Sequence, residues 1–232
     1  MQLAEFATTD CTGLVLAHRQ NFVGSSLAKG TVLTDQHVAA LIAAGVEKLV
    51  CAHPDHSDIH EDDAAARLAA LLSPKNLTFS MAATGRVNIK VPQQGLIRYD
   101  REVIRKVNEI DERITFALVQ HNQLLTAGQM AATLKIIPFF VPKTSLQKIE
   151  DLVANSPAFS FHPLRQARVA LIQTRIDGQP DRLFATTENV TAARLDVLGC
   201  DLVASHICRH NQQEVAELIT SCTQIGAEII LV

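Results

Sequence analysis

The amino-acid sequence predicts an α/β fold. The pattern helix, glycine, strand occurs three times, and helices that alternate with short β-rich strands are typical of parallel sheets covered by helices. In addition, 47% of the 232 residues are hydrophobic and 19% are charged, a composition that can bury a sizeable core. The three copies have no fixed spacing, so the pattern does not indicate a solenoid.

The first copy lies near the N-terminus. Thr34 can cap a helix, Gly45 permits the left-handed conformation that ends it, and residues 48–53 are typical of a strand. Capping residues predict three further helices: one opened by Asp58 with Glu61 and running to about Leu72, a shorter one opened by Asp100, and one opened by Thr144 with Gln147 and running to about Asn155.

Two strands are predicted between these helices, over residues 114–120 and 129–141. Pro138 marks an edge or a kink in the second strand, because proline has no N–H to donate to a neighbouring strand. Residues 161–166 are typical of a connector, and a new strand follows them. We therefore predict an N-terminal mixed α/β domain over residues 1–165 and a second α/β domain over residues 166–232.

The other two copies of the pattern lie in the second domain. A strand over residues 168–174 comes first, and a helix with a cap near Thr187 then ends at Gly199 before a strand over residues 201–207. The last copy begins at Asn211, which has Glu214 three residues later, and ends in a strand over residues 228–232.

Charge and composition exclude some partners. A formal net charge of -3 and a pI near 6.3 provide no general attraction for nucleic acid or an anionic membrane. The longest apolar run, over residues 38–46, is far shorter than the ~20 residues of a membrane span. Residues 1–5 do not resemble a signal peptide, and five cysteines without a C-x-x-C pair suit reduced core thiols. We therefore expect a cytoplasmic protein.

The most conspicuous polar cluster surrounds three histidines. His53, His56 and His60 lie among several carboxylates, and these are the ligand types that zinc and other divalent metals prefer. The acidic residues are equally well explained as the first turn of a helix, where they meet the positive end of the helix dipole. The spacing matches no established metal motif, so we assign no metal site.

A second cluster, residues 83–88, has the sequence ATGRVN. The backbone at Gly85, together with the side chains of Thr84, Arg86 and Asn88, could hold a phosphate or carboxylate. The same residues also make an ordinary polar turn before a strand. Lys135, within an otherwise apolar strand, could point a cation into a pocket or reach to the sheet edge.

A third candidate site follows the strand over residues 168–174. Loops at the carboxyl end of such a strand commonly bind ligands in α/β sheets, which places Thr174 and Asp181 in a suitable position. Neither G-x-G-x-x-G nor G-x-x-x-x-G-K-[ST] is present, so these two nucleotide-binding devices are not indicated. No G-x-S-x-G or H-E-x-x-H is present either.

Several segments of the first domain resemble the N-terminal half of bacterial molybdopterin-binding proteins, which are related to the molybdenum-inserting transferases. The segments are GLVLAH (13–18), LAKGTVL (27–33), AAGV (43–46), EDDAAARL (61–68), ATGRVN (83–88) and GQMAATLKIIPF (128–139).

From Arg168 onward the chain is similar to the start of the three-layer α/β pterin-binding domain of that family. In the family's domain, the strand that corresponds to residues 228–232 is followed by a glycine- or serine-rich loop and an acidic residue that contact the pterin. The chain ends at Val232, so we expect this domain to be incomplete. Asp181 is followed by Arg182, which departs from the family's glycine-then-Asp-Asn pattern.

The resemblance implies binding of molybdopterin, a small-molecule pterin, during synthesis, handover or insertion of the molybdenum cofactor. A molybdoenzyme or a cofactor-synthesis protein would then be a partner. The alternatives are a non-catalytic protein-interaction or regulatory module with a degenerate pterin fold, and a metal-dependent enzyme. No nucleophile, base and orienting group can be assembled, so catalysis stays open. The implied cofactor-binding residues are Thr84, Gly85, Arg86, Asn88, Thr174 and Asp181.

Overall fold

The computed structural model describes residues 1–154 and 157–232. Six helices and several sheets are present within these ranges, which confirms the predicted α/β class. The chain divides into two compact units, Met1–His162 and Pro163–Val232. Residues 161–163, which were predicted to belong to a connector over residues 161–166, form the end of the strand Phe159–Pro163 instead. Among the described residues, no helix is both long and apolar enough to cross a membrane.

Among its described residues, the first unit has four α-helices and fourteen strands. The helices are α1 (Asp35–Ala43), α2 (Glu61–Leu72), α3 (Arg101–Ile110) and α4 (Lys143–Leu152). The strands are β1 (Gln2–Ala7), β2 (Val15–Leu16), β3 (Gln20–Phe22), β4 (Ser25–Leu27), β5 (Lys48–His53), β6 (Asp58–His60), β7 (Thr78–Phe79), β8 (Arg86–Lys90), β9 (Gly95–Tyr99), β10 (Ile114–Leu118), β11 (Leu124–Leu125), β12 (Met130–Ile136), β13 (Phe140–Pro142) and β14 (Phe159–Pro163).

The largest sheet of this unit has the strand order β10-β12-β8-β7, and all of its neighbouring strands are antiparallel. Alternate residues of β8, Val87 and Ile89, are buried, because successive side chains of a strand point to opposite faces. Helix α2 packs against β8 and β12 with the buried residues Ala64, Ala65, Leu68, Ala69 and Leu72. The other face of the sheet carries Arg86 and Asn88 of β8 beside Lys135 and Thr133 of β12.

Smaller sheets complete the first unit, with the orders β1-β5-β2, β11-β9-β14, β13-β6 and β3-β4. The predicted caps of two helices are confirmed: the Thr34 hydroxyl accepts from His37 N–H, and the Asp100 carboxylate accepts from Glu102 N–H. The strand predicted over residues 114–120 is present as β10.

The predicted start of α2 at Asp58 is wrong. Residues Asp58–His60 are extended, because they pair with β13 as strand β6. The helix begins at Glu61, and the His60 ring caps it by accepting from Asp62 N–H at 3.3 Å.

The strand predicted over residues 129–141 is two strands. The first of them, β12, ends at Ile136, and the second, β13, lies beyond Pro138 and pairs with β6. Helix α4 then begins at Lys143, directly after Pro142, so Thr144 lies inside the helix and does not cap it. Asn155, where that helix was predicted to end, lies outside the described residues.

The second unit contains β15 (Arg168–Arg175), α5 (Asp181–Val197), β16 (Asp201–Arg209), α6 (Gln212–Gln224) and β17 (Ile229–Leu231). Its sheet is parallel, in the order β16-β15-β17. Asn211 caps α6 as predicted, by accepting from Glu214 N–H. Helix α5 begins at Asp181, well before the predicted cap at Thr187. Thr187 lies inside the helix, where its hydroxyl donates to Leu183 O, so it does not cap the helix.

The five cysteines are free thiols. Cys11 and Cys51 are buried with their sulfur atoms 3.9 Å apart. Burial raises the pKa of Cys51 to about 12, so this thiol stays protonated near neutral pH. A protonated, buried thiol acts as a small apolar core group.

Asp111 connects the end of α3 to α4. Its buried carboxylate accepts two hydrogen bonds from the Arg113 guanidinium, both at 2.8 Å, and one from the Ser145 hydroxyl at 2.6 Å. Burial alone would raise the pKa of Asp111, but these hydrogen bonds outweigh it and lower the pKa to about 2. The ionised carboxylate is therefore favoured in the folded protein.

We expect the Asp111 contribution to stability to be lost as the pH falls. The pKa drops from 3.8 in the unfolded chain to about 2 in the folded protein, so the contribution is complete above pH 3.8 and disappears as the pH falls through about 2. Its size is about 2 kcal/mol. Urea unfolding of the wild type and Asp111→Asn at pH 7 and at pH 2–4 checks this. Identical pH profiles for the two proteins would contradict it.

Candidate functional site

A tight turn at Thr84 and Gly85 forms one wall of the site. Ala83 N–H donates to Arg86 O and Arg86 N–H donates to Ala83 O, at 3.1 and 3.2 Å. The φ angles of Thr84 and Gly85 are 50° and 69°, both in the left-handed region. A two-residue turn with two positive φ angles matches the twist of antiparallel strands, so it sends the chain directly into β8.

Gly85 lies between α2 and β12. Its N–H donates to the Asp62 carboxylate at 2.8 Å, and its carbonyl oxygen accepts from Ile136 N–H at 2.7 Å. A Cβ at this position would lie 2.4 Å from Ile136 O and 2.7 Å from Glu61 Oε2. Only glycine allows this approach, which fixes the turn against the first residues of α2.

A cavity of about 390 Å³ opens beside this turn. Arg86 and Lys135 are direct partners in the register of β8 and β12, so both cations reach the cavity from neighbouring strands. Lys29 reaches it from the segment after β4, with its Nζ 5.2 Å from the centre of the Phe139 ring. The full lining is Lys29, Gly30, Glu61, Thr84, Arg86, Lys135, Ile136, Ile137 and Phe139.

The three cations of this cavity lack carboxylate partners. Lys29, Arg86 and Lys135 form no ion pair with any residue in the described ranges. Within the same ranges, Glu61 is the one acidic residue of the cavity wall. Positive charge therefore predominates there, and the cavity is suited to an anion.

Glu61 is unusual because it is only 8% exposed and its carboxyl group forms no hydrogen bond with a described residue. Its backbone N–H donates to Phe139 O at 2.8 Å, so the residue is held at the start of α2. Burial raises the pKa of Glu61, and Asp62 adds to this, whereas His60 and Lys29 act in the opposite direction. The carboxyl group thus retains a proton more readily than an exposed glutamate does.

The structure brings some of the predicted residues together. Thr84, Arg86 and Lys135 line the cavity, and Gly85 lies in its wall. Asn88 lies two residues further along β8 and outside the lining, where it accepts from the Thr133 hydroxyl at 3.2 Å.

Two charged residues of this cavity, Lys29 and Glu61, were not predicted from the sequence to belong to an anion site. Lys29 has no local signal, because it lies in a turn far from β8 along the chain. Glu61 was interpreted as part of a helix cap, and nothing in the sequence indicates that the distant Thr84–Gly85 turn lies against its side chain.

In the second unit, Thr174 and Asp181 do not line the same cavity. Thr174 Oγ1 lies 2.9 Å from His210 Nδ1, at a cavity of about 500 Å³ beside the start of α6. Asp181 is the first residue of α5, and its carboxylate accepts from the Arg175 guanidinium at 2.6 Å. The lining of this cavity is Thr174, His210, Asn211, Gln212, Val215, Ala216, Ile219 and Val232.

Two of the three histidines of the polar cluster have other contacts. The His60 ring caps α2 and packs edge-on against Phe140, with ring centres 5.5 Å apart. The His53 ring lies 6.4 Å from that of Phe6. In the described part of the chain, no three His, Cys, Asp or Glu side chains are grouped so that they could hold a metal ion.

Comparisons with known proteins supply no relative. No family model matches the chain, and neither a curated protein nor a solved structure matches it.

Proposed function

We propose that the first unit binds a small molecule through its phosphate group, and that this ligand is molybdopterin or one of its adenylylated or metallated forms. The observation that carries the proposal is the convergence on one cavity of three cations, Lys29, Arg86 and Lys135, that form no ion pair with a described residue. The pterin part of the proposal rests on the resemblance of the sequence segments described above.

The chemistry of the cavity favours a phosphate group. The planar guanidinium of Arg86 can donate two parallel hydrogen bonds to one phosphate, and the two lysine ammonium groups add positive charge. The cavity volume of about 390 Å³ lies in the range of roughly 300–1,000 Å³ that is usual for small-molecule sites. Ile136, Ile137 and Phe139 supply an apolar wall for a ring system.

The proposal also assigns a cellular role. The protein would act in the cytoplasm in synthesis, handover or insertion of the molybdenum cofactor, with a molybdoenzyme or a cofactor-synthesis protein as its partner. The cavity holds the phosphate end of the ligand in this role.

Binding can be tested with the double variant Arg86→Gln with Lys135→Gln. Each charge-assisted hydrogen bond contributes about 1.5–3 kcal/mol, so we expect the double variant to bind phosphate and molybdopterin at least about 100-fold more weakly than the wild type. Calorimetric titration of the full chain with each ligand gives the Kd. Lys90→Gln is the matched control, because Lys90 is exposed on β8 but does not line the cavity.

The outcomes are distinct. If the wild type binds neither inorganic phosphate nor molybdopterin, the proposal is wrong. If it binds phosphate but not molybdopterin, the phosphate site stands and the pterin assignment fails. An equal loss of affinity in Lys90→Gln would mean that general surface charge, and not the cavity, attracts the anion.

A further inference from the structure

Glu61 is the acidic residue of the cavity wall among the described residues. The residue is only 8% exposed, it lies on the cavity wall, and its carboxyl group, which forms no hydrogen bond with a described residue, is open to the cavity. A carboxyl group that faces three cations across a cavity, with no hydrogen-bond partner among the described residues, is placed to contact whatever enters that cavity. A ligand that enters the cavity would supply the missing partner.

The charges around Glu61 come from several elements. Lys29 faces it from the segment after β4, and Arg86 and Lys135 line the same cavity from β8 and β12. His60 and Asp62 are its neighbours in sequence, and they have opposite effects on its ionisation. The three cavity cations favour an anion close to Glu61, whereas a second bare negative charge would repel the ionised carboxylate.

A proton between the two groups removes this conflict. An O–H···O⁻ hydrogen bond between a carboxylate and an anion oxygen is short and about twice as strong as a neutral one. A phosphate monoester loses its second proton with a pKa of about 6, so near neutral pH it can bring this proton itself. Sulfate is fully ionised in that range and has no proton to bring.

We infer that Glu61 shares one proton with the anion held by Lys29, Arg86 and Lys135, and thereby selects a phosphate group that can carry a proton over sulfate. This inference rests on the proposed phosphate binding. With a singly protonated phosphate, the P–O–H group donates to the Glu61 carboxylate. With sulfate, the proton must be taken from solvent onto Glu61, which then donates to a sulfate oxygen.

The two anions should therefore differ in pH dependence. Sulfate affinity falls as the pH rises, by up to tenfold per pH unit, because each bound sulfate requires one proton taken up by the protein. The affinity for inorganic phosphate changes much less from pH 6 to 8, since this ligand carries at least one P–O–H proton, as H2PO4⁻ or HPO4²⁻, throughout that range. At pH 7 we expect wild-type protein to bind phosphate at least about tenfold more tightly than sulfate.

The test is a calorimetric titration with inorganic phosphate and with sulfate at pH 6, 7 and 8. Glu61→Gln replaces the carboxyl group by a neutral amide that can donate to either anion, so the preference for phosphate and the pH dependence of sulfate binding should both disappear. Asp63→Asn is the matched control: it removes a charge from the same helical turn at an exposed position outside the cavity. It should keep the wild-type preference.

Wild-type measurements alone can overturn the inference, so it does not depend on the folding of Glu61→Gln. If the wild type binds sulfate as tightly as phosphate from pH 6 to 8, Glu61 does not select the ligand, although the phosphate site remains. An unchanged preference in a folded Glu61→Gln variant leads to the same conclusion. If neither anion binds to the wild type or to Glu61→Gln, the proposed function and the inference both fail.

Discussion

Gly85→Ala should lower the free energy of unfolding of the first unit by about 3 kcal/mol or more. The added Cβ would lie 2.4 Å from Ile136 O and 2.7 Å from Glu61 Oε2, and the φ of 69° is unfavourable for alanine. Backbone strain of this kind costs about 1–2 kcal/mol, and forced overpacking costs about 1–3 kcal/mol more. Urea unfolding measured by circular dichroism checks the prediction.

Gly128→Ala is a close control for this change. Gly128 has a φ of 81°, but a Cβ at that position would have no heavy atom within 4 Å. We expect it to lose about 1–2 kcal/mol from backbone strain alone. Equal losses in the two variants would show that the close approach of α2 and β12 to Gly85 does not contribute.

Phe116→Ala should lower the free energy of unfolding by about 3–5 kcal/mol, the usual cost of removing a buried aromatic ring. Phe116 is 1% exposed, lies opposite Leu134 in the main sheet, and has its ring centre 6.0 Å from that of Phe159. The loss should be visible in the midpoint of urea unfolding at an unchanged slope.

Phe79→Ala provides the comparison for the core variant. Phe79 belongs to β7 of the same sheet but is 40% exposed, so its removal should cost much less than that of Phe116. A Phe116→Ala variant as stable as Phe79→Ala would mean that the ring does not support the core of this unit.

Much of the fold could be predicted from local signals. The caps at Thr34, Asp100 and Asn211 depend on contacts within one helical turn, which the sequence specifies directly. The predictions at Asp58 and Thr187 fail for other reasons. Asp58 lies in a strand because of pairing with distant β13, and Thr187 forms a hydrogen bond inside a longer helix.

The candidate site could be predicted only in fragments. Thr84, Arg86 and Lys135 each attract attention in the sequence, but their meeting depends on the register of β8 and β12, which no local pattern fixes. Lys29 and Glu61 join them through tertiary packing alone. That this chain belongs to the molybdopterin-binding family, and that its ligand is a pterin, stay predictions. The titrations described above test the ligand.

The pairing of Arg86 with Lys135 has a consequence for evolution and design. Like charges placed directly opposite each other on a sheet are unfavourable, by a fraction of a kcal/mol to about 1 kcal/mol. A search for stabilising substitutions would therefore favour replacing one of the two, and would remove part of the proposed anion site while improving the fold. Engineering of this protein for heat resistance should therefore leave both residues unchanged, so that the proposed anion site is kept.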